Sequence, residues 1–148
     1  MTDAKPRLID EIVPIDDYMR LREISGLTPF PRAAAEAGLA NAILGVSVVA
    51  GGQVVGMGRV IGDGGLFFQI VDIAVEPAFQ GRGLGKAIMR RLIDRLAARL
   101  PAQAYVSLMA DGEAHRLYSR FGFQPVQPRS IGMFRLLGPR DGAVHPAS

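Results

Sequence analysis

The sequence predicts an α+β fold: a mixed sheet, antiparallel at first, with one parallel pair in its middle. Three observations predict it. Apolar residues alternate through residues 42–62 on either side of Gly51-Gly52, the pattern of a hairpin with a tight turn. Leu84, Ile88, Leu92 and Leu96 recur every four residues, with Met89, Ile93 and Leu100 beside them, the broad stripe of a helix that lies on a sheet. A short apolar strand follows that helix, and strand, helix and strand in this order imply a right-handed crossover between parallel neighbours.

The elements follow in chain order. "LIDEIVP" (Leu8 to Pro14) reads as a first strand stopped by proline. Ile15, Tyr18, Leu21, Arg22 and Ile24 share one helical face that ends near Gly26, and the Ala-rich run from Arg32 to Ala40 forms a second short helix after the break "TPFP". The hairpin strands come next, then a turn at Gly62 to Gly65. "LFFQIVDIAV" is a strand with both faces buried, ended by Glu76-Pro77. Pro101 stops the long helix, and Ala104 to Ala110 is the strand after it. Asp111 caps a further helix, "GEAHRLYSRF", and Gly122 ends it. "SIGMFRLL" is a final strand, and the tail "GPRDGAVHPAS" (138–148) reads as flexible.

Composition narrows the function. The 148 residues fit one domain, expected over 1–148 with a core of about 8–137, and 49% of them are hydrophobic. No apolar run approaches the roughly 20 residues of a membrane helix, and "MTDAKPRLID" reads as a polar lead-in. The absence of cysteine excludes disulfides and thiol nucleophiles and fits a cytoplasmic location. His115 and His145 have no partner at metal-ligand spacing, so no metal site is expected. With 17 Lys+Arg against 14 Asp+Glu, and Arg90, Arg91, Arg95 and Arg99 on one helix without interleaved aromatics, neither nucleic acid nor membrane is expected as a partner. That basic group reads as a solvated helix face.

"QGRGLGKAIMRRL" (Gln80 to Leu92) carries the sharpest signal. Three glycines at alternate positions cost conformational entropy, and they stand where a buried strand gives way to a helix. The first N–H groups of that helix lack internal partners and carry partial positive charge, which makes an anion site. Arg82 and Lys86 add to it. A phosphate or pyrophosphate is the natural guest, although glycines that merely let helix and sheet pack closely would look the same. A P-loop is unlike this, because Gln80 stands where its first glycine belongs and Ala87 replaces its hydroxyl. The dinucleotide-binding spacing does not match either.

Two segments resemble the GNAT superfamily of N-acetyltransferases. "VEPAFQGRGLGKAI" is similar to its acetyl-coenzyme A signature, Gln/Arg-x-x-Gly-x-Gly/Ala, through Gln80, Gly83 and Gly85. "DGEAHRLYSRFGF" is similar to a second segment of the family through Ala114, Tyr118, Gly122 and Phe123. The resemblance implies a GNAT-like sheet with a central splayed parallel pair and helices on both faces. It implies acetyl-coenzyme A as co-substrate, its pyrophosphate on the backbone of Gln80, Gly81, Arg82, Gly83, Leu84 and Gly85 with Lys86 nearby. It further implies that the strand from Val71, through Ile73, Ala74 and Val75, lends backbone groups to the pantetheine arm. Asp111 replaces the family's asparagine before the tyrosine helix, where the resemblance implies a further coenzyme contact.

The implied chemistry is direct attack of an amine on a thioester. An alkyl ammonium has a pKa near 10.4, so freeing the amine at pH 7 costs about 4–5 kcal/mol and something must take the proton. By resemblance, a backbone amide at Ile73 or a neighbour holds the oxyanion. Tyr118 stands at the position of the general acid for the leaving thiolate and of a coenzyme contact; without the motif it would read as a core tyrosine. Gln69 occupies the position of the glutamate base of histone-type members and cannot serve. Asp72 either faces the cleft as base or amine anchor, or pairs with an arginine; His115 is a further candidate or an exposed helix histidine. Phe30, Phe68, Met133 and Phe134 would line an apolar acceptor slot, with Glu23 or Asp72 attracting a cation. The expected acceptor is a small primary amine, aromatic or polyamine-like. Rival readings are a protein lysine or N-terminal acetyltransferase and a non-catalytic acyl-coenzyme A sensor. A homodimer is a further expectation from resemblance.

Overall fold

In the computed structural model, which describes residues 4–141, five strands form one sheet in the order of the chain. Strand β1 (Arg7–Ile9) is followed by helices α1 (Ile15–Ile24) and α2 (Arg32–Ala40). Strands β2 (Leu44–Ala50), β3 (Gln53–Gly62) and β4 (Phe67–Val75) continue the antiparallel meander. A 3₁₀ turn (Pro77–Phe79) leads to helix α3 (Leu84–Arg99), strand β5 (Tyr105–Leu108) and the short helix α4 (Ala114–Ser119). Strand β5 pairs parallel to β4, as a crossover through α3 requires. Gly51 and Gly52 both have positive φ, the requirement of a two-residue hairpin turn whose twist matches its strands.

Helices cover both faces. Ile88, Met89, Leu92 and Leu96 of α3 are buried against Val46, Val48, Val60, Phe68 and Ile70. On the other face Tyr18 and Leu21 of α1 and Ala35 and Leu39 of α2 enclose Met57 and Ala74. Strand β3 reaches α3 through glycine. A Cβ on Gly58 would come within 2.6 Å of Ile88, 2.7 Å of Ile73 and 3.0 Å of Leu92. Helix and sheet therefore close on a bare backbone at this point.

Strand β4 changes face partway along. Met57 lies opposite Ala74, but Arg59 lies opposite Val71, so Asp72 and Ile73 together face one residue of β3. This is a β-bulge, with Asp72 held at φ 61. Phe68 and Ile70 face α3, and strict alternation would send Asp72 into the same apolar layer. The extra residue reverses the parity. Ile73 packs with the α3 layer, and Asp72 turns to the arginines on the α1 side.

Two expected elements differ. The first strand ends at Ile9, and the chain then leaves the sheet so that Ile12 sits over Gly45 and the Ser47 hydroxyl donates to the Glu11 carbonyl. The segment "SIGMFRLL" forms no strand: Pro125 and Pro128 remove donors from its approach and no described strand pairs with it. Met133 and Phe134 are 84% and 88% exposed. The parallel pair consequently lies at the edge of the sheet. The expected flexible tail falls mostly on residues 142–148, outside the described residues.

Candidate active site

The parallel pairing is short. It runs from Phe67 opposite Tyr105 to Ile70 opposite Leu108 and stops, while β4 continues for five more residues. The two strands part at the bulge, which adds twist at this point. Between them opens a cleft of ≈ 350 Å³ lined by Gln69, Val71, Asp72 and Ile73 of β4, by Leu108 and Met109, and by Arg22, Asp111 and Tyr118. Backbone groups of β4 that lose their neighbour here need other partners.

The glycine loop stands at the end of the same strand. Gln80 ties it down by donating from its side-chain amide to the Val75 carbonyl at 3.0 Å. Gly81 and Gly83 have φ of 77° and 79°, so both need the left-handed region. The first helical bond runs from Ala87 N–H to the Gly83 carbonyl. Among the described residues, the N–H groups of Gly81 through Lys86 have no acceptor. A Cβ placed on Gly81, Gly83 or Gly85 would meet nothing within 4 Å. Close packing of helix on sheet thus does not explain these glycines. They keep a row of free amides bare toward open space, where the helix N-terminus favours an anion. Lys86 is exposed beside them, and Arg82 lies over the Phe79 ring at 4.9 Å.

Tyr118 lies across the cleft from the bulge and is half-buried. Burial, and then the nearby Asp111 carboxylate, push its phenol above the ordinary value of 10.0. Both effects keep the proton on at neutral pH, the state a proton donor requires. Among the described residues its hydroxyl has no hydrogen-bond partner.

Asp72 is not a free base. Its Oδ1 accepts from Arg22 Nη1 at 2.7 Å and its Oδ2 from Arg59 Nε at 2.5 Å, and its side chain is only 8% exposed. Both oxygens hold guanidinium protons, so a base or cation-anchor role gives way to that of a counter-ion. Arg22 also donates through Nε to the Thr28 carbonyl at 2.6 Å and lies under the Phe30 ring at 4.5 Å. Burial, followed by the charge of Asp72, raises the Tyr18 phenol beside this cluster.

Other expected positions are reassigned. Asp111 makes no side-chain cap; Glu113 is the N-cap residue of α4 and the Asp111 carbonyl accepts from Ala114 N–H. Its carboxylate lines the cleft instead, exposed and outside any ion pair among the described residues. His115 is exposed, 3.6 Å from Glu113, and does not line the cleft. Phe68 is core, Phe30 covers Arg22, and Met133 and Phe134 project away, so the apolar slot is not assembled. Glu23 is exposed and off the cleft. The basic face of α3 is partly tied down: Arg91 pairs with Asp10, and Arg95 and Arg99 donate to the Gly45 and Ile43 carbonyls. The sequence offered an arginine as one alternative partner for Asp72 but did not say which; the structure supplies Arg22, already placed on the α1 face, and Arg59.

Among the described residues no helix is long and apolar enough to cross a membrane. None of their His, Asp and Glu residues gather in threes that could hold a metal ion. His145 lies outside that set.

Residues 44–125 match a family model described as an acetyltransferase (GNAT) domain. A solved structure from methicillin-resistant Staphylococcus aureus, of a protein of unknown function described as a probable acetyltransferase, is 42% identical. It superposes with a TM-score of 0.84, over 90% of this chain and 100% of that one. Histone acetyltransferase TAP1 of Glycine max is 36% identical over 83 residues, covering 55% of this chain and 35% of that protein. Serotonin N-acetyltransferase 2 of Oryza sativa is 31% identical over 130 residues, covering 82% of this chain and 56% of that protein. The chain spans only a third to about half the length of these curated relatives.

Proposed function

Because the chain belongs to the GNAT acetyltransferase family, we propose that it moves an acetyl group from acetyl-coenzyme A to the primary amine of a small molecule by direct attack. One observation carries the reading: β4 leaves β5 after Ile70 and runs, unpaired on that side, into a loop of free amides at Gly81 to Lys86. An elongated ligand with a phosphate at one end and hydrogen-bonding groups along its arm fits that track. The loop from Gln80 to Lys86 would hold the pyrophosphate, and Ile73, Ala74 and Val75 the arm. The whole domain, residues 8–137, serves this one site.

When bound, acetyl-coenzyme A supplies the thioester carbonyl that the amine attacks. The backbone N–H at Ile73, at the bulge, would be the donor for the oxygen on which negative charge grows. The Tyr118 hydroxyl, protonated at neutral pH, would hold the proton that the departing sulfur needs. Asp111, the unpaired carboxylate on the cleft wall, takes the ammonium proton through water.

Gly85→Ala tests the loop. Gly85 is helical with open space beside it, so alanine should raise stability by up to about 0.5–1 kcal/mol. Acetyl-coenzyme A affinity, measured by titration calorimetry, should fall at least about tenfold, or about 1.4 kcal/mol. Unchanged affinity would refute the loop assignment. Thiol release against a panel of amines, amino acids and lysine peptides then identifies the acceptor. Turnover confined to the peptides would replace the small molecule with a protein lysine. Tight binding without turnover would favour a sensor.

A further inference from the structure

The cleft presents a cation as well as carboxylates. Arg22 and Arg59 share one carboxylate, Asp72, so this cluster by itself carries one positive charge, and the exposed Asp111 on the same cleft makes no ion pair with it among the described residues. Burying such a charge is costly unless something answers it. Arg22 is 8% exposed as a residue and lines the cleft. Its Nε and Nη1 are engaged by the Thr28 carbonyl and Asp72. Its Nη2 has no acceptor among the described residues, yet it is not among the fully enclosed orphan atoms. It therefore keeps some exposure, on a residue that lines the cleft. Asp72, Thr28 and the Phe30 ring fix the planar head from three directions, so the fork is oriented before any ligand arrives.

We propose that the acceptor is an amine that also carries a carboxylate, an amino acid in the broad chemical sense, and that Arg22 binds that carboxylate. The proposal rests on the acetyl-transfer reading and narrows its substrate class. A carboxylate completes the count that Asp72 leaves open, through a charge-assisted hydrogen bond from Nη2. The opposite wall is complementary, since Asp111 and Tyr118 lie there to meet the amine end. Arg22 is a specificity residue, held by Asp72 and Arg59 behind it.

The test uses matched acceptors of α, β and γ spacing, each as the amino acid, its carboxamide and its decarboxylated amine. Thiol release from acetyl-coenzyme A is followed with the full chain. The acid should exceed its carboxamide in kcat/KM by at least about tenfold, mostly through KM, as loss of a charged hydrogen-bond partner implies. Arg22→Gln should abolish the preference, and Arg22→Lys should restore part of it, with folding checked by circular dichroism. Because these variants also lose a structural contact, the acid-to-amide ratio of the unaltered chain is the primary reading. Equal or better use of the carboxamide or the decarboxylated amine would overturn the proposal.

Should no acceptor release thiol, binding decides. The N-acetylated amino acids and their amides are titrated with coenzyme A present, and thermal stability is read. Stabilisation by the acids alone upholds the carboxylate site; stabilisation by neither, or by both equally, overturns it. Failure of acetyl transfer itself would show separately, as coenzyme binding without turnover of any amine.

Discussion

The two halves of β4 differ more than any two strands of the sheet. From Phe68 to Ile70 the strand is paired on both sides, with β3 and β5, and Phe68 and Ile70 fill the α3 core. From Val71 to Val75 it keeps β3, loses β5, bulges at Asp72 and lines a cleft. Each half is about as long as the other and nearly as apolar. Apolar composition therefore does not distinguish core from site; the neighbour does. Where a strand has a partner on each side its backbone is spent on folding. Where one partner turns away, the same backbone becomes available to a ligand.

The largest effect should come from breaking the bulge's counter-ion. Asp72→Ala leaves Arg22 and Arg59 buried with no carboxylate between them. Loss of one partner from a buried charge cluster costs about 3–5 kcal/mol. Urea unfolding should show that loss as a lower midpoint. Gln69→Ala, three residues earlier, should stay within about 1 kcal/mol. Comparable losses at both positions would mean that the two halves share one energetic role and that the arginine cluster is incidental.

This contrast also marks how far the sequence could be read. Elements whose signal is local were legible: the Gly51-Gly52 turn, the α3 stripe, and the loop at Gln80 to Lys86 with its free amides. The bulge was half legible. Asp72 stands at the parity of Phe68 and Ile70, and an arginine partner for it was among the sequence alternatives, but the one-residue slip that turns it to the α1 side was not foreseen. Arg22 lies 50 residues away in the chain, on a helix whose face alone does not say which strand it meets. The final strand was misread because alternation describes a residue pattern, whereas a strand needs a ladder. Pro125, Pro128 and the lack of a described partner leave Ile131 to Leu137 exposed.

The next comparison sets one tyrosine against another. Tyr118 faces the open half of β4, whereas Tyr105 sits on the paired half, against Phe67 with ring centroids 5.8 Å apart. Tyr118→Phe should lower kcat about 100-fold, within the usual range for a positioned acid, with coenzyme affinity nearly intact. Tyr105→Phe should leave both unchanged. Parallel loss of turnover and affinity in Tyr118→Phe would instead make the hydroxyl a binding group.

The smallest effect is the most specific. Burial first, and Asp111 second, raise the Tyr118 phenol above the ordinary 10.0. An acid must carry its proton, so kcat should hold steady to beyond the usual phenol range and fall only as pH rises through the raised value. The same shift affects folding: stability from the protonated phenol is intact below its unfolded pKa and lost as pH climbs through the folded one. Circular dichroism must therefore show a folded chain at each pH used. Asp111→Asn removes the lesser of the two causes, so the alkaline limb should move to lower pH without reaching the position of an exposed phenol. Loss of a proton-accepting Asp111 would depress the rate below neutral pH as well, but it would not displace the alkaline limb. An alkaline limb in the same place in Tyr118→Phe as in the unaltered chain would assign it to some other group, and the open half of β4 would then have no proton donor opposite it.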